Sequence, residues 1–155
     1  MRVTSHKIDV QIASRIAGIP SERAFRKWLL AALPMSAELT LRVVNAAEGR
    51  NLNSAFRGKD YATNVLTFVY HEKHSLRLMG DIILCAPVVA SEAREQGKTL
   101  KAHYAHLTVH GALHLAGLDH EKAHAAQAME RKEIAILAAL GVANPYMKDD
   151  GEQTF

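Results

Sequence analysis

Three histidines in the C-terminal half of the chain carry the spacing of a metal site. The segment 110–120 reads HGALHLAGLDH, so that His110 and His114 are four residues apart. On a helix this spacing puts both imidazoles on one face, one turn apart and within reach of a single ion. Gly117 can turn the chain back, because glycine adopts a left-handed backbone at little cost, and His120 follows it. The pattern predicts a metal ion held by His110, His114 and His120.

Three imidazoles favour zinc and leave one coordination position open. Three protein ligands with water in the fourth position are the layout of a catalytic zinc site rather than a structural one. Zinc lowers the pKa of such a water to about 7, which makes it a usable nucleophile at neutral pH. Affinity order alone does not decide which metal occupies a three-histidine site, so Ni²⁺ remains the alternative. We expect one Zn²⁺ ion.

The other histidines and Asp119 near this segment are not expected to be metal ligands. His106 lies on the same helix face as His114 but two turns before it, and about 12 Å along a straight axis is too far for one shared ion. Asp119 could either orient a ligand imidazole or cap the helix that follows. We expect ordinary surface or core histidines at His103, His106 and His124.

The histidine spacing equals that of the metzincin proteases, HExxHxxGxxH. Gly111 stands where those proteases carry the glutamate that acts as general base. Without that carboxylate, peptide hydrolysis lacks its proton acceptor unless one comes from elsewhere in the fold. A metallohydrolase acting on peptides or amides is therefore the first alternative function.

Composition and length indicate one ordinary domain. With 155 residues, of which 48% are hydrophobic, the chain can bury a core, and we expect a single metallohydrolase-like domain over residues 1–155. No apolar stretch is long enough to span a membrane, and residues 1–14 lack the pattern of a secretion signal. We therefore expect a cytoplasmic protein without a membrane partner. Cys85 follows three apolar residues, which favours a small buried side chain over a catalytic thiol.

The elements that must position these residues come as strands first and helices last. Alternating or β-branched apolar residues predict four strands, at 7–13, 38–45, 64–70 and 76–84. A first helix begins at Pro20-Ser21-Glu22 and ends at Leu33-Pro34, with one apolar face made by Phe25, Trp28, Leu29 and Ala32. Residues 46–60 read as a loop with a short turn of helix.

The second half of the chain is helical. Apolar periodicity followed by a glycine predicts three helices, at 88–96, 100–116 and 121–140. The sequence therefore indicates an α+β fold, a small mixed β-sheet of about four strands covered by helices, with the metal-binding helix in the C-terminal half.

The segment 110–120 closely resembles the signature of the YbeY family, HGxLHLxGxDH, with every fixed position present. Further blocks resemble the family in the same order and cover most of residues 39–146; they are 51–68, Gly80-Asp81-Ile82, Leu140-Gly141 and Pro145-Tyr146. The chain departs from the family's usual strand pattern, TDVLSF, at Asn64 and Thr67.

The resemblance implies a metal-dependent single-strand endoribonuclease. Its expected roles are processing of the 3′ end of small-subunit ribosomal RNA and ribosome quality control in the bacterial cytoplasm. The implied partners are single-stranded ribosomal RNA and the small ribosomal subunit with its assembly factors, rather than DNA. The resemblance also makes His110, His114 and His120 metal ligands, and it gives catalytic roles to His114 and to Arg57, the family's central arginine. A ribosome-assembly binding module with a mainly structural metal is the second alternative.

Arg57 has the right chemistry for phosphoryl transfer. The reaction builds negative charge on nonbridging oxygens, and a planar guanidinium can bind two of them at once. Alternatively, Arg57 only pins its loop to a carboxylate such as Asp60 or Asp81. Cations that could line a phosphate track, each also readily explained as a solvated charge, are Lys59, Arg77, Lys98 and Lys101. Aromatic residues that could stack on a base are Phe56, Tyr61 and Tyr104, although Phe56 is better explained as a core residue.

Overall fold

A computed structural model describes residues 5–118 and 123–147 of the chain. Its strands and helices follow one another as β1 (His6–Ile12), α1 (Glu22–Ala32), β2 (Ala37–Val44), α2 (Ala46–Arg57), β3 (Val65–Val69), β4 (Leu78–Cys85), α3 (Ala86–Glu95), α4 (Leu100–Leu115) and α5 (Ala123–Ala139). None of the helices within the described ranges is long and apolar enough to cross a membrane.

The strands form one mixed sheet in the order β1-β2-β4-β3. The strands β1, β2 and β4 run parallel, whereas β3 pairs antiparallel with β4, so that Thr67 faces Ile82 across the ladder. The predicted α+β fold with a four-stranded mixed sheet is confirmed. The helix that carries His110 and His114 lies in the C-terminal half, as predicted.

The first helix forms as its sequence predicts. Ser21 caps it, since its hydroxyl oxygen accepts a hydrogen bond from the Ala24 N–H at 3.1 Å. The buried face consists of the four residues expected, Phe25, Trp28, Leu29 and Ala32. The Phe25 ring meets Tyr104 of α4 edge to face, with 5.7 Å between centroids. This contact ties α1 to the helix that carries the histidines.

The second helix is longer than the short helical turn within a loop that was predicted for residues 46–60. The structure has a regular 12-residue helix there, ended by Gly58 in the left-handed conformation at φ 68°. Asparagine and glycine lower the intrinsic helix propensity of this segment, but packing overrides propensity. Gly49 lies so close to β4 that a Cβ on it would be 3.1 Å from the Cys85 sulfur. Arg42 of β2 holds the first turn through a bidentate ion pair with Glu48.

The fourth helix lies at the centre of the molecule. It packs against α1, α3, α5, β3 and β4, and apolar residues cover most of its circumference. Its end agrees with the predicted glycine turn, because Gly117 has φ 102° and its N–H donates to the His114 carbonyl at 3.0 Å. The predicted start of the last helix, at residue 121, lies outside the described residues.

Two glycines allow α4 and β3 to approach β4 closely. A Cβ on Gly111 would be 3.0 Å from a methyl carbon of Ile82, so that this face of α4 lies directly on the sheet. A Cβ on Gly80 would be 2.2 Å from the Phe68 carbonyl oxygen and 2.3 Å from a methyl carbon of Leu115. The absence of side chains at Gly111 and Gly80 therefore lets α4 lie close to β4, and lets β3 pair closely with β4.

Candidate metal centre

A cavity of about 390 Å³ opens between α2, β3 and α4. His110 and His114 reach it from α4, Arg57 from the end of α2, and Lys59 and Tyr61 from the loop that follows. The remaining lining residues are Asn53, Thr63, Asn64, Val65, Leu66 and Thr67. The fold thus brings Arg57 and Lys59, predicted for phosphate chemistry, together with the two predicted metal ligands of α4, although they are far apart in the sequence.

Two of the three predicted metal ligands lie in this cavity. His110 and His114 are one helical turn apart on α4 and line it together. His120, the predicted third ligand, lies outside the described residues, as does Asp119. The complete ligand set therefore stays a prediction.

His110 has a carboxylate partner that the sequence analysis missed. The ring Nδ1 of His110 lies 2.6 Å from Oε2 of Glu133 on α5. The other oxygen, Oε1, lies 2.9 Å from His106 Nε2 and also accepts a hydrogen bond from the Tyr146 hydroxyl. Glu133 is fully buried. A signal was present in the sequence, because Glu133 interrupts an apolar stripe, four residues from both Met129 and Leu137.

The three donors keep Glu133 ionised despite its burial. Burial by itself would raise the pKa of this carboxyl, but the hydrogen bonds from His106, His110 and Tyr146 outweigh it and lower the pKa to about 2. The phenol of Tyr146 has a pKa well above its ordinary value, first because of burial and then because it donates to this carboxylate. Glu133 is therefore an acceptor at neutral pH.

A group that could hold a metal ion is formed by His106, His110 and Glu133. Each residue offers one possible ligand atom, and the three atoms lie within 4.8 Å of one another. The interpretation of His106 as an ordinary histidine did not anticipate this group. His124 is exposed on α5 and His103 is buried, in agreement with their expected roles as surface and core residues.

Within residues 5–118 and 123–147, Arg57 is held at the cavity wall by main chain rather than by a carboxylate. Its Nη2 donates to the Thr67 carbonyl of β3 at 2.7 Å, and its guanidinium carbon lies 5.7 Å from the centre of the Phe68 ring. The carboxylates suggested as partners have other contacts: Asp60 forms an ion pair with Arg50, and Asp81 accepts from Tyr70. Neither contact needs Arg57, so the guanidinium can face an anion in the cavity.

Of the candidate stacking residues, Tyr61 has the best position. Its side chain lines the cavity and is 53% exposed, while its carbonyl accepts from Asn53 Nδ2 at 2.8 Å. Tyr104 is a buried core residue and cannot meet a base. The expectation that Phe56 packs in the core is wrong: it is 67% exposed and touches Phe68 at one edge.

The predicted phosphate track is shorter than the sequence suggested. Lys59 lines the cavity. A second cavity of about 660 Å³, at the opposite end of α4, is lined by Lys98 and Lys101 instead. Arg77 forms an ion pair with Glu38, with 3.8 Å between Nε and Oε1. Among the four candidate cations, only Lys59 joins Arg57 within the described part of the site.

Asn64 takes part in a network behind the cavity. Its side-chain amide donates to Glu92 at 3.0 Å, and the same carboxylate contacts His103 Nε2 at 2.9 Å. An aspartate at position 64 would put a second carboxylate beside Glu92, so the amide suits this position. Burial lowers the pKa of His103, while Glu92 opposes the shift. Cys85 is buried as predicted, and burial raises the pKa of its thiol.

Comparison with known proteins gives matches over most of the chain. Residues 9–141 match the family model described as Endoribonuclease YbeY. The Endoribonuclease YbeY of Aromatoleum aromaticum is 59% identical over 134 residues, which cover 86% of each chain. That of Methylobacillus flagellatus is 55% identical over 142 residues, covering 92% of this chain and 94% of the relative. The solution structure of TM1509 from Thermotoga maritima shares the fold, with a TM-score of 0.57 and 24% identity over 92% of this chain and 98% of that one.

Proposed function

The chain belongs to the endoribonuclease YbeY family, and from this premise we propose that it is a hydrolase that cleaves single-stranded ribosomal RNA at the cavity between α2, β3 and α4. The observation that carries the proposal is the meeting of two signature histidines, His110 and His114, with Arg57 in one cavity. The proposed substrate region is the 3′ end of small-subunit ribosomal RNA. Ribosome quality control, contact with the small subunit and its assembly factors, and a cytoplasmic location are parts of the proposal that rest on the family resemblance.

The proposed metal is zinc, held by His110, His114 and His120, with nickel as the alternative. The two imidazoles within the described residues, those of His110 and His114, are suitable ligands for such an ion. A neutral imidazole donates a hydrogen bond from one nitrogen and accepts at the other. In His110 the donating nitrogen is Nδ1, because it lies against the Glu133 carboxylate. The lone pair then belongs to Nε2, as a metal ligand requires. When bound, the ion supplies Lewis-acid activation of a phosphate.

The other cavity residues are suited to an anionic strand. Arg57, fixed by Thr67, places a guanidinium where it can bind nonbridging oxygens and stabilise the charge that develops on them. Lys59 adds a second positive charge at the same wall. Tyr61 exposes a ring on which one base can stack, and stacking requires a base that is already free of a duplex. These contacts support a single-stranded substrate.

Peptide hydrolysis is less well supported. No aspartate or glutamate is found among the described residues that line the cavity, so a general base of the metalloprotease kind is absent from that part of the site. Position 111, where the proteases carry their glutamate, is buried against Ile82. A side chain there would meet the sheet rather than the cavity.

The test is cleavage by the zinc-loaded protein of a single-stranded fragment from the 3′ end of small-subunit ribosomal RNA, beside a duplex of the same sequence and a peptide mixture. We expect cleavage of the single strand alone, abolished by a chelator. His114→Ala should lose both zinc and cleavage, because two imidazoles hold zinc poorly. His124→Ala, which removes an exposed histidine of α5, is the matched control and should retain both.

Each alternative predicts a different result. RNA binding without cleavage by fully loaded protein would support the binding module. Peptide cleavage would support the protease-like hydrolase. RNA cleavage that survives both chelation and His114→Ala would exclude the metal mechanism and indicate a contaminating nuclease.

A further inference from the structure

Glu133 is a carboxylate in the middle of an apolar helix face. Met129 and Leu137 lie one turn to either side of it on α5, and all three residues are buried where α5 meets α4. An ionised carboxylate in such a place is unfavourable unless hydrogen-bond donors compensate for the lost water. An apolar side chain would serve the packing better, so the reason for a glutamate must lie in its contacts.

Those contacts hold both oxygens of Glu133. Oε2 meets His110 Nδ1 at 2.6 Å, while Oε1 meets His106 Nε2 at 2.9 Å and the Tyr146 hydroxyl. The Tyr146 hydroxyl and His106 Nε2 also lie 3.2 Å apart, with their rings edge to face. The carboxylate cannot rotate without losing at least two hydrogen bonds. Its Oε2 is therefore fixed in direction toward His110.

The separations are those of hydrogen bonds rather than of two ligands on one ion. Bonds of about 2.1 Å at a tetrahedral angle place neighbouring zinc ligand atoms about 3.4 Å apart. The Glu133 oxygens are nearer than that to both histidines, at 2.6 Å and 2.9 Å, within the ordinary range of a charge-assisted hydrogen bond. The distances therefore describe a carboxylate that is hydrogen-bonded to His110 and His106 rather than a second ligand beside them.

We propose that Glu133 is the positioning residue of His110, and that His106 and Tyr146 hold it in place. By accepting from Nδ1, Glu133 sets both the rotation of the ring and its tautomer, so that Nε2 is presented to the cavity that also contains His114. Carboxylates in this position raise the basicity of a ligand imidazole and improve metal affinity. The inference rests on the proposed metal site, to which it adds a residue that is not itself a ligand.

The first test needs neither metal nor RNA. Two-bond ¹H–¹⁵N correlation spectra of the metal-free protein at mildly alkaline pH report which nitrogen of His110 carries the proton. We expect the proton on Nδ1 in the wild-type protein. Glu133→Leu removes the acceptor and should give a mixture of tautomers; Glu133→Met, of matching length, is the second variant if the leucine form does not fold. A wild-type His110 protonated on Nε2 would overturn the proposal, whatever the activity of the protein.

The second test is zinc affinity measured by competition with a chelating dye. Glu133→Leu and Glu133→Met should bind zinc about 10- to 100-fold more weakly, the usual effect of losing such a partner. Glu133→Gln keeps an amide oxygen that can accept from Nδ1 and should recover part of the loss. Tyr146→Phe, which leaves the bond to His110 in place, should have a smaller effect than Glu133→Leu. Glu95→Leu, at an exposed position on α3, is the control and should match the wild type.

Two affinity results contradict the proposal. Wild-type affinity in the folded Glu133→Leu or Glu133→Met protein would mean that the carboxylate does not position His110. Loss of zinc in Glu133→Gln as complete as in His114→Ala would mean that Glu133 is itself a ligand. Either result leaves the endoribonuclease proposal standing, just as absent RNA cleavage would leave the tautomer measurement valid.

Discussion

Replacing Arg57 with alanine should separate catalysis from stability. Among the described residues, this side chain makes one hydrogen bond to the Thr67 carbonyl and one contact with the Phe68 ring. At an exposed position each is worth about 0.5–1 kcal/mol, and solvent and side-chain entropy offset part of it. We therefore expect the free energy of unfolding to fall by about 1 kcal/mol. In a domain of this size the melting temperature should then drop by about 2–4 °C.

The effect on cleavage should be much larger. Removing a donor directed at transition-state charge costs about 100- to 1,000-fold in rate, or about 2.7–4 kcal/mol. The assay is single-turnover cleavage of the single-stranded RNA fragment at saturating enzyme, which removes differences in binding, with zinc content measured on the same samples. Arg57→Lys keeps the charge without the planar fork and should fall between the wild type and Arg57→Ala. Equal single-turnover rates for the wild type and Arg57→Ala would refute the catalytic assignment.

Three further perturbations have definite expected results. Gly80→Ala would put a Cβ against the Phe68 carbonyl and the Leu115 side chain, and should destabilise the fold by about 3 kcal/mol in urea denaturation; an unchanged midpoint would contradict the close approach of β3 to β4. Tyr61→Ala should raise KM for single-stranded RNA about tenfold with little change in kcat, whereas Tyr61→Phe should not, since loss of one stacked base costs about 1–3 kcal/mol. Because burial lowers the pKa of His103 from its ordinary value of 6.5, the unfolded chain takes up a proton below that pH before the folded chain does. The free energy of unfolding should therefore fall as the pH falls below about 6.5, and His103→Gln should make this pH dependence weaker. The measurement is urea denaturation at several pH values; the same pH dependence in the wild type and His103→Gln would contradict the prediction.

The sequence predicts local structure correctly where the residues of a single segment determine it. The apolar spacing of Phe25, Trp28, Leu29 and Ala32 specifies a buried helix face, and the structure buries those residues. Gly117 and its neighbours set the end of α4 through backbone conformation alone. The positions of His110 and His114 on one helix face follow from helix geometry, which does not depend on the rest of the fold.

The predictions that were wrong or incomplete depend on contacts between segments that are distant in the sequence. Residues 46–57 have the asparagine and glycine of a loop, but they form a helix in which Gly49 fits closely against Cys85 of β4. Glu133 was visible as a break in an apolar stripe, yet its importance depends on His110, which lies on another helix. Periodicity within α5 cannot identify that partner, because the packing of α5 on α4 determines it.

The central position of α4 has a consequence for how substrate and protein adapt to each other. A helix covered by α1, α3, α5, β3 and β4 should open only when the whole domain unfolds, so its amide hydrogens should be among the slowest to exchange. We therefore expect the helix that carries His110 and His114 to be rigid on the timescale of local opening. If the protein cannot deform to meet the RNA, the RNA must deform to meet the protein. A single strand can rotate about its backbone bonds to place one phosphate in the cavity, whereas a duplex would first have to unstack and unpair.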